Sequence, residues 1–258
     1  MNTTPKALQQ HNKHLQRELG LVRAELADFT YSVSHDLRAS LRHVSAFVQI
    51  IKEDLGEDAP AAIASHLNTV SQAAKQMGRQ IDALMELSRL TQVELQLSTV
   101  NAGQLVREVC NTLTPAAGER PVAWQLAADM PALQCDLTLL QQVLTHLLSN
   151  ASKFTATRAQ AEIKVSWQIT DSGQCAVTVA DNGVGFNPQY TGKLFHAFQR
   201  LHGAREFEGM GMGLALTRKI VERHGGVVWA SGAQDGGASI SFTLPMAPPV
   251  TQGEEARA

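Results

Sequence analysis

The stretch that decides the fold is Asp-Asn-Gly-Val-Gly-Phe at residues 181–186, which is followed by Gly-Met-Gly-Met-Gly-Leu at residues 209–214. Glycines repeated at this spacing let the backbone approach a ligand closely and tolerate positive φ angles. The acid that opens the first stretch can accept a hydrogen bond from an exocyclic amine such as that of adenine. One such run is usually only a turn, so the interpretation depends on what accompanies it.

A short helical pattern at residues 147–154 precedes both glycine-rich stretches. It carries Asn150, whose side-chain oxygen can hold a divalent cation beside phosphates. Chance does not readily produce this helix followed by two glycine runs in this order. The three features together predict that the chain binds a nucleotide.

Composition narrows the class of protein. The 258 residues, 44% of them hydrophobic, suffice for one or two domains with real cores. A net charge of -2 gives no basic field, which argues against a nucleic-acid partner. No run reaches the roughly 18 apolar residues that span a bilayer, and residues 1–6 lack an apolar signal core. Cys110, Cys135 and Cys175 form no Cys-x-x-Cys pair and are expected to be reduced packing residues. We therefore expect a cytoplasmic protein without a membrane span.

The first ninety residues show the seven-residue apolar period of a coiled coil. The two interleaved series are Leu8, Leu15, Val22, Phe29 and Asn12, Leu19, Leu26, Val33. A polar Asn12 within the seam is suited to fix register and oligomeric state. Residues 1–28 are therefore predicted to form a coiled-coil linker.

The period continues through Leu41 and Val48 until the Gly-Glu-Asp-Ala-Pro sequence at residues 56–60 breaks it. A second amphipathic helix follows, so residues 29–93 are predicted to form a helical hairpin. A hairpin alone has too small a core, and two hairpins are expected to pair into a dimeric four-helix bundle. The alternative is a monomeric hairpin that docks on its own C-terminal domain.

The second half of the chain is predicted to contain both helices and strands. Helices are predicted at residues 102–113, 137–153 and 213–224, and strands at residues 161–169, 174–179, 227–230 and 238–244. The alternating, β-branched strands indicate a sheet covered by helices on one face. We assign residues 94–246 to this α/β domain and expect the tail at residues 247–258 to be disordered.

One histidine lies within a charged motif, Ser-His-Asp-Leu-Arg at residues 34–38. His35 lies two residues beyond the seam residue Val33, so its side chain should point out of the bundle. A lone surface histidine is usually only solvated. An imidazole can nevertheless attack a phosphoryl group when one nitrogen is neutral and the other is held by an acceptor. Asp36 is placed to be that acceptor or a general base.

These motifs together resemble the H, N, G1, F and G2 boxes of sensor histidine kinases, in the family's order. They are Ser-His-Asp-Leu-Arg at 34–38, Asn-Ala-x-Lys-Phe at 150–154, Asp-x-Gly-x-Gly at 181–185, Phe-x-x-Phe at 195–198 and Gly-x-Gly-x-Gly at 209–213. Residues 198–202 and 206–209 further resemble the phytochrome-like subgroup. The resemblance implies a multidomain α and α/β chain in which a dimeric histidine-phosphotransfer hairpin is joined to an ATP-binding domain of the Bergerat (GHKL) fold, an α/β sandwich.

The resemblance also implies roles for individual residues. His35 matches the phosphoacceptor, beside Asp36, and Asn150 matches the residue that binds magnesium. Lys153 matches a lysine that contacts phosphate, and Asp181 the acid that reads adenine. The glycines are Gly183 and Gly185, which shape the adenine pocket, and Gly209, Gly211 and Gly213, which match the phosphate loop at a helix start.

The segment between residues 187 and 208 is expected to be the lid over ATP. Two interpretations of Arg200, His202 and Arg205 stay open: contact with the terminal phosphate, or charges in solvent. Phe195 and Phe198 are expected to anchor the lid by packing.

Three positions depart from the family pattern. Ala39 and Ser40 stand where the family often has Thr and Pro, which predicts a straighter helix near His35 and the loss of a hydroxyl that positions water. His146 replaces the first Asn of the N box, one turn before Asn150. It is either a contact near magnesium or a packed side chain.

The predicted function is autophosphorylation of His35 with ATP and Mg²⁺, followed by transfer to an aspartate of a response regulator receiver domain. The expected partners are a second copy of the chain and an upstream sensor domain or protein. The spacing is compatible with phosphorylation within a protomer or across the dimer. One alternative is a degenerate kinase that serves as a dimeric ATP-binding scaffold. Another is an ATP-hydrolysing relative of chaperones or topoisomerases, but those use a Glu where His146 stands.

Overall fold

The computed structural model describes residues 5–56, 60–114, 120–203 and 206–248, with side chains from residue 11 onward except those of residues 16 and 23. The chain divides into two compact units, Met1–Val93 and Glu94–Ala258. The predictions for the side chain of Leu8, for the loop at residues 57–59, for Arg205 and for the tail from residue 249 lie outside the described residues.

The first unit is an antiparallel hairpin of two long helices. Helix α1 spans Pro5–Leu55 and helix α2 spans Ala61–Arg89. Pro60 occupies the N-cap of α2, where a proline does not remove a helical hydrogen bond. Polar contacts join the helices along their length: Lys52 Nζ donates to Asn68 Oδ1 at 2.7 Å, and Arg38 forms an ion pair with Asp82. The predicted hairpin is confirmed.

The apolar side chains of the hairpin divide into two sets. Those packed between its helices include Ala27, Val48, Ala74 and Ile81. A second set remains exposed in the single chain, and its members are Leu15, Leu19, Val22, Leu26, Phe29, Val33, Leu37, Val44, Ile63, Val70, Met77 and Leu84. The exposed set contains the described apolar residues of the predicted N-terminal seam and one of the two apolar series of α2. Val48, which the sequence places on the seam, is instead buried in the hairpin.

The second unit contains a twisted sheet with helices on one face. Its helices are α3 Ala102–Leu113, α4 Leu137–Phe154 and α5 Gly213–Arg223. Its strands are β1 Leu97–Val100, β2 Val122–Leu126, β3 Leu133–Asp136, β4 Ala161–Ile169, β5 Gln174–Asp181, β6 Val228–Gly232 and β7 Ala238–Pro245. Within the described residues, five strands form a sheet in the order β2-β4-β5-β7-β6, and β1 pairs with β3.

The core of this unit lies between the helices and the sheet. Leu144 and Leu148 of α4 are fully buried together with Ile163 of β4 and Phe242 of β7. Residues two apart on a strand point to the same face, so the alternation in β4 places one row of its side chains in this core. The α/β sandwich predicted from the sequence is confirmed.

The three predicted helices are present, with α4 and α5 ending within one residue of expectation. Strand β4 has the predicted bounds, and β5 is two residues longer. Strands β1, β2 and β3 were not predicted. They are only four or five residues long, and each depends on pairing with a distant segment rather than on a pattern of its own.

The cysteines are packing residues, as predicted. Burial raises the pKa of Cys110 and Cys175 to about 11 and that of Cys135 to about 12, so their thiols are protonated at neutral pH and unreactive. Among the described helices, none is long and apolar enough to cross a membrane.

Candidate functional site

His35 lies on α1 with 61% of its side chain exposed, in agreement with the outward orientation expected from the heptad. Its Nδ1 is 3.3 Å from Asp36 Oδ1. This contact favours the tautomer that donates from Nδ1, which leaves the lone pair on Nε2. The hairpin therefore presents a histidine whose second nitrogen is suited to act as a nucleophile.

One turn beyond His35, the two helices are joined by a polar contact that the sequence did not reveal. Arg38 pairs with Asp82 of α2, and its Nη2 lies 3.1 Å from Met85 Sδ. Helix α1 continues unbroken through Ala39 and Ser40. The Ser40 hydroxyl donates to the Asp36 carbonyl oxygen at 3.1 Å, so it is engaged within its own helix.

In the second unit, the C-terminal end of α4 carries the N-box residues. Lys153 Nζ donates to Asn150 Oδ1 at 3.1 Å and lies 4.4 Å from the ring centroid of Phe154. Burial, and then the charge of Arg200, lower the pKa of Lys153. Lys153 and Arg200 are thus close enough to interact electrostatically, and two neighbouring cations are an arrangement suited to an anion.

The first glycine-rich stretch follows β5. Gly183 N–H donates to Asp181 Oδ1 at 2.8 Å. Burial raises the pKa of Asp181, and hydrogen bonds from the backbone of Gly183 and Ala238 oppose that rise. Gly185 has a φ of 61°, and a Cβ there would overlap the carbonyl oxygen of Ala233. Only glycine fits this position, so the predicted need for glycine is met by a backbone contact.

The second glycine-rich stretch leads into α5, which begins at Gly213. Met212 is the N-cap of this helix and makes no side-chain hydrogen bond to it, and the N-terminus of a helix favours an anion. Gly211 has a φ of 74°, and a Cβ there would overlap the carbonyl oxygen of Gln199 in the lid. The loop therefore also supports the lid.

His146 lies against this loop. A Cβ added to Gly213 would be 3.4 Å from His146 Cγ, so the imidazole fills the space that glycine leaves. Of the two roles left open by the sequence, the structure favours packing. His146 joins the N-box helix to the start of α5.

The lid contains a short 3-10 helix, Pro188–Lys193. Phe195 is buried, with 9% exposed, as expected for a packing anchor. Phe198 is 39% exposed and has a φ of 62°. The expectation of packing agrees with the burial of Phe195, and for Phe198 it stays a prediction.

Arg200 and His202 bind backbone carbonyls, so neither is merely a charge in solvent. Arg200 Nη2 donates to the Phe207 oxygen at 2.5 Å and to the Gly203 oxygen at 3.3 Å. His202 Nε2 lies 2.9 Å from the Gly185 oxygen. The rings of His202, Phe207 and Phe154 are in mutual contact, with centroids 5.1–5.5 Å apart. These contacts hold the lid against the first glycine-rich loop.

Sequence reasoning missed several residues that support the site through backbone contacts. Arg120 donates to the carbonyl oxygens of Ser152 and Thr155 at the end of α4. Arg158 binds the loop after Asp181. His224 accepts from Asp136 N–H at 3.0 Å at the start of α4. No motif spacing marks such residues, because their partners are carbonyl and amide groups that every residue has.

Two sequence-family models match this chain. Residues 25–93 match the His Kinase A (phospho-acceptor) domain, and residues 135–248 match the histidine kinase-, DNA gyrase B-, and HSP90-like ATPase. The methanogenesis regulatory histidine kinase FilI of Methanothrix harundinacea is 32% identical over 90% of this chain. Phytochrome-like protein Cph1 of Synechocystis is also 32% identical over 90% of the chain. The chain spans 26% and 31% of the lengths of these two relatives.

Solved structures agree with this relationship. Full-length ShkA in complex with AMPPNP has a TM-score of 0.61 and 26% identity, covering 85% of this chain and 46% of that one. The Acinetobacter baumannii histidine kinase AdeS shares the fold, with a TM-score of 0.57. Its identity to this chain is 18%, and the match covers 83% of this chain and 98% of that one.

A helical hairpin with an exposed histidine, joined in sequence to an ATPase-type α/β unit, defines the transmitter class of signalling proteins. The chain belongs to the sensor histidine kinases and comprises their transmitter module.

The raised pKa of Asp181 predicts a conflict between stability and recognition. When folding raises the pKa of a carboxyl, its ionised form lowers the free energy of unfolding at pH values above that pKa. This loss disappears at low pH, where the carboxyl is protonated in both the folded and the unfolded state. Asp181→Asn should therefore raise the free energy of unfolding at pH 7. Denaturant titrations should show this gain shrinking as the pH falls toward 3.8, the ordinary value for Asp.

Under the role in adenine recognition proposed below for Asp181, the same variant should bind ATP at least about tenfold more weakly, because a charge-assisted hydrogen bond would be lost. Val179→Ala, in the same strand but in the core, serves as the control and should lower stability. A destabilised Asp181→Asn protein at pH 7 would contradict the assignment of a half-buried, charged carboxylate to Asp181.

Proposed function

We propose that the chain uses ATP to phosphorylate His35 and then passes the phosphoryl group to an aspartate of a response regulator receiver domain. The observation that carries this proposal is the exposed imidazole of His35, whose Nδ1 lies beside the Asp36 carboxylate. The histidine kinases among its relatives support the same activity.

The proposed chemistry follows from the state of the imidazole. With Nδ1–H donated to Asp36, Nε2 keeps its lone pair and can attack the terminal phosphorus of ATP. An N–P bond forms while the bond from that phosphorus to the bridging oxygen breaks, and ADP leaves with the electron pair. Asp36 offsets the charge that develops on the imidazole or accepts its Nδ1 proton.

We assign adenine recognition to Asp181. Its carboxylate is the acceptor for the 6-amino group, and Gly183 and Gly185 shape the pocket around the base. Support comes from the hydrogen bond that holds Asp181 Oδ1 on Gly183 N–H, which fixes the carboxylate before a base arrives.

We assign the phosphates to Lys153 and to the start of α5. Gly209, Gly211 and Gly213 lead into a helix whose first N–H groups favour an anion. The lowered pKa of Lys153 supports this role, because a bound phosphate would favour its charged form.

The family implies Mg²⁺, and the donor set fits it. Asn150 offers a side-chain oxygen at the end of α4, held by Lys153 at 3.1 Å. In the described part of the chain, no group of three or more His, Cys, Asp and Glu could hold a metal alone. One protein oxygen with phosphate oxygens and water is the donor set that Mg²⁺ accepts. Asn150 would hold the ion, which when bound supplies charge neutralisation on the phosphates.

We further propose that two chains pair through the exposed apolar face of the hairpin. Residues 1–28 then serve as a coiled-coil signalling linker from an upstream sensor domain or protein, residues 29–93 as the dimeric phosphotransfer hairpin and residues 94–246 as the catalytic domain. The protein is proposed to act in the cytoplasm. The exposed seam, including Leu26 at 63% exposure, supports pairing because an apolar face of this length is costly in water.

The alternatives have less support. A degenerate scaffold that binds ATP would not require the contact of His35 with Asp36. An ATP-hydrolysing relative would need a carboxylate base where His146 packs against Gly213.

The direct test is incubation with terminally labelled ATP and Mg²⁺. The wild type should acquire label that is stable in alkali and labile in acid, and His35→Gln should acquire none while still binding ATP. His43→Gln, an exposed histidine on the same helix, is the matched control and should retain the label. Label that persists in His35→Gln would contradict the assignment of the phosphoacceptor.

Dimerisation can be tested through the seam. Replacing Leu19 and Leu26 with Lys should raise the dimer dissociation constant at least about tenfold, because each charge would be buried against its mate. Leu21→Lys is the control, since Leu21 is 72% exposed and lies off the seam. Light scattering over a concentration series measures the effect. A wild-type chain that is monomeric at micromolar concentration would refute the proposed pairing.

The balance between kinase and phosphatase activity is a separate prediction. Ala39 has no hydroxyl or amide to align water against a phosphoaspartate, and the Ser40 hydroxyl is engaged with the Asp36 carbonyl oxygen. We expect little phosphatase activity in the wild type and a gain in Ala39→Thr. The measurement is the decay of a purified phosphorylated regulator with the chain and ADP. Rapid decay with the wild type would overturn the prediction.

A further inference from the structure

Arg158 binds the backbone of the loop that follows Asp181. It follows α4 and belongs to none of the family's boxes. Its Nε donates to the Asn182 carbonyl oxygen at 2.8 Å, and its Nη2 donates to the carbonyl oxygens of Gly183 and Asp235, at 2.9 and 2.8 Å. A single guanidinium thus joins two loops that are more than fifty residues apart in sequence.

The second of these loops is the turn between β6 and β7. It packs directly on the loop after Asp181: Asp235 N–H donates to the Val184 oxygen at 2.8 Å, and a Cβ on Gly237 would overlap the Asp181 carbonyl oxygen. The turn therefore forms one wall of the adenine-side loop, and Arg158 connects that wall to the loop.

The opposite wall is the end of α4. Val184 N–H donates to the Phe154 carbonyl oxygen at 3.2 Å, and a Cβ on Gly183 would lie 2.5 Å from the same oxygen. Gly183 is therefore enclosed by backbone on this side and has room for no side chain. A small rotation of its peptide groups would break contacts on both walls.

Arg158 fixes the one residue that orients the acid. Gly183 donates its N–H to Asp181 Oδ1 and accepts from Arg158 through its carbonyl oxygen. The Asn182 carbonyl oxygen, which precedes that N–H in the same peptide unit, also accepts from Arg158. Because a peptide unit is planar, the hydrogen bond to the Asn182 oxygen sets the direction of the Gly183 N–H.

We propose that Arg158 is a positioning residue for base recognition: it holds the peptide between Asn182 and Gly183 so that Asp181 faces the 6-amino group of a purine nucleotide. This inference rests on the proposed role of Asp181. The carbonyl contacts carry it, rather than the ion pair with Asp235, in which Nη2 and Oδ1 are 4.0 Å apart and the carboxylate is largely exposed.

The test measures selectivity rather than affinity. The probes are ATP and purine riboside triphosphate, which lacks only the 6-amino group, each displacing a fluorescent ATP analogue from the full chain. A variant that is partly unfolded weakens both probes equally, so the ratio of their dissociation constants reports only on recognition of the amine. The wild type should prefer ATP by at least about tenfold, as expected for a hydrogen bond to a carboxylate.

Arg158→Gln should lower this preference to about threefold or less, and Arg158→Lys should restore no more than part of it, because an ammonium does not reproduce the planar fork of donors. Arg120→Gln is the matched control. Arg120 also binds carbonyl oxygens at the end of α4, but its hydrogen-bond partners are Ser152 and Thr155 rather than residues of the loop at 181–186. It should lower stability while leaving the preference for ATP unchanged.

The outcomes separate this inference from the function on which it rests. A preference for ATP that is retained in Arg158→Gln would overturn the role of Arg158 and leave that of Asp181 intact. A loss of preference in Arg120→Gln equal to that in Arg158→Gln would also overturn it, since general loosening of α4 would then suffice. A wild type that binds both probes equally would overturn the role of Asp181 and, with it, that of Arg158.

Discussion

The second unit depends on one constraint, the enclosure of residues 181–186 between two backbone surfaces. The Phe154 carbonyl oxygen lies close enough to exclude a Cβ at Gly183. The turn between β6 and β7 lies close enough to exclude a Cβ at Gly185. The loop can therefore adopt essentially one path. That path places Asp181 at the end of β5 with Oδ1 on Gly183 N–H, and it places the Gly185 carbonyl oxygen where His202 of the lid binds it. The position of the acid and the attachment of the lid have the same cause.

The charges of this unit are arranged for a ligand. Burial raises the pKa of Asp181 and lowers that of Lys153, so each charged form is disfavoured by its surroundings. In the proposed function, a nucleotide would supply a hydrogen-bond donor for Asp181 and an anion for Lys153. Binding of that ligand would favour the charged forms of both side chains. This explains why the fold keeps an acid and a base in surroundings that disfavour their charges.

The sequence predicted the elements that have their own periodicity and the residues that belong to a fixed motif. It predicted α3 and β4 to the residue. It did not predict β1, β2 and β3, since short strands acquire their structure from distant partners. It did not identify Arg158, and it left two interpretations open for Arg200 and His202, because each of the three binds backbone carbonyls that are brought near only by the fold. Motif spacing identifies groups that meet a ligand, whereas the residues that hold those groups in place depend on tertiary contacts.

The hairpin shows a different limit of sequence reasoning. Seven-residue spacing has the same form whether a helix packs on its own chain or on another. The structure separates the two cases: Ala74 and Ile81 pack within the hairpin, whereas Val70, Met77 and Leu84 stay exposed. His35 lies outside both apolar sets, with Ser34 beside it buried against the hairpin. A helix with two apolar faces has only a narrow polar strip left, and His35 lies on that strip. The outward orientation of His35 therefore follows from the apolar pattern around it, and the contact with Asp36 then sets the tautomer of its imidazole.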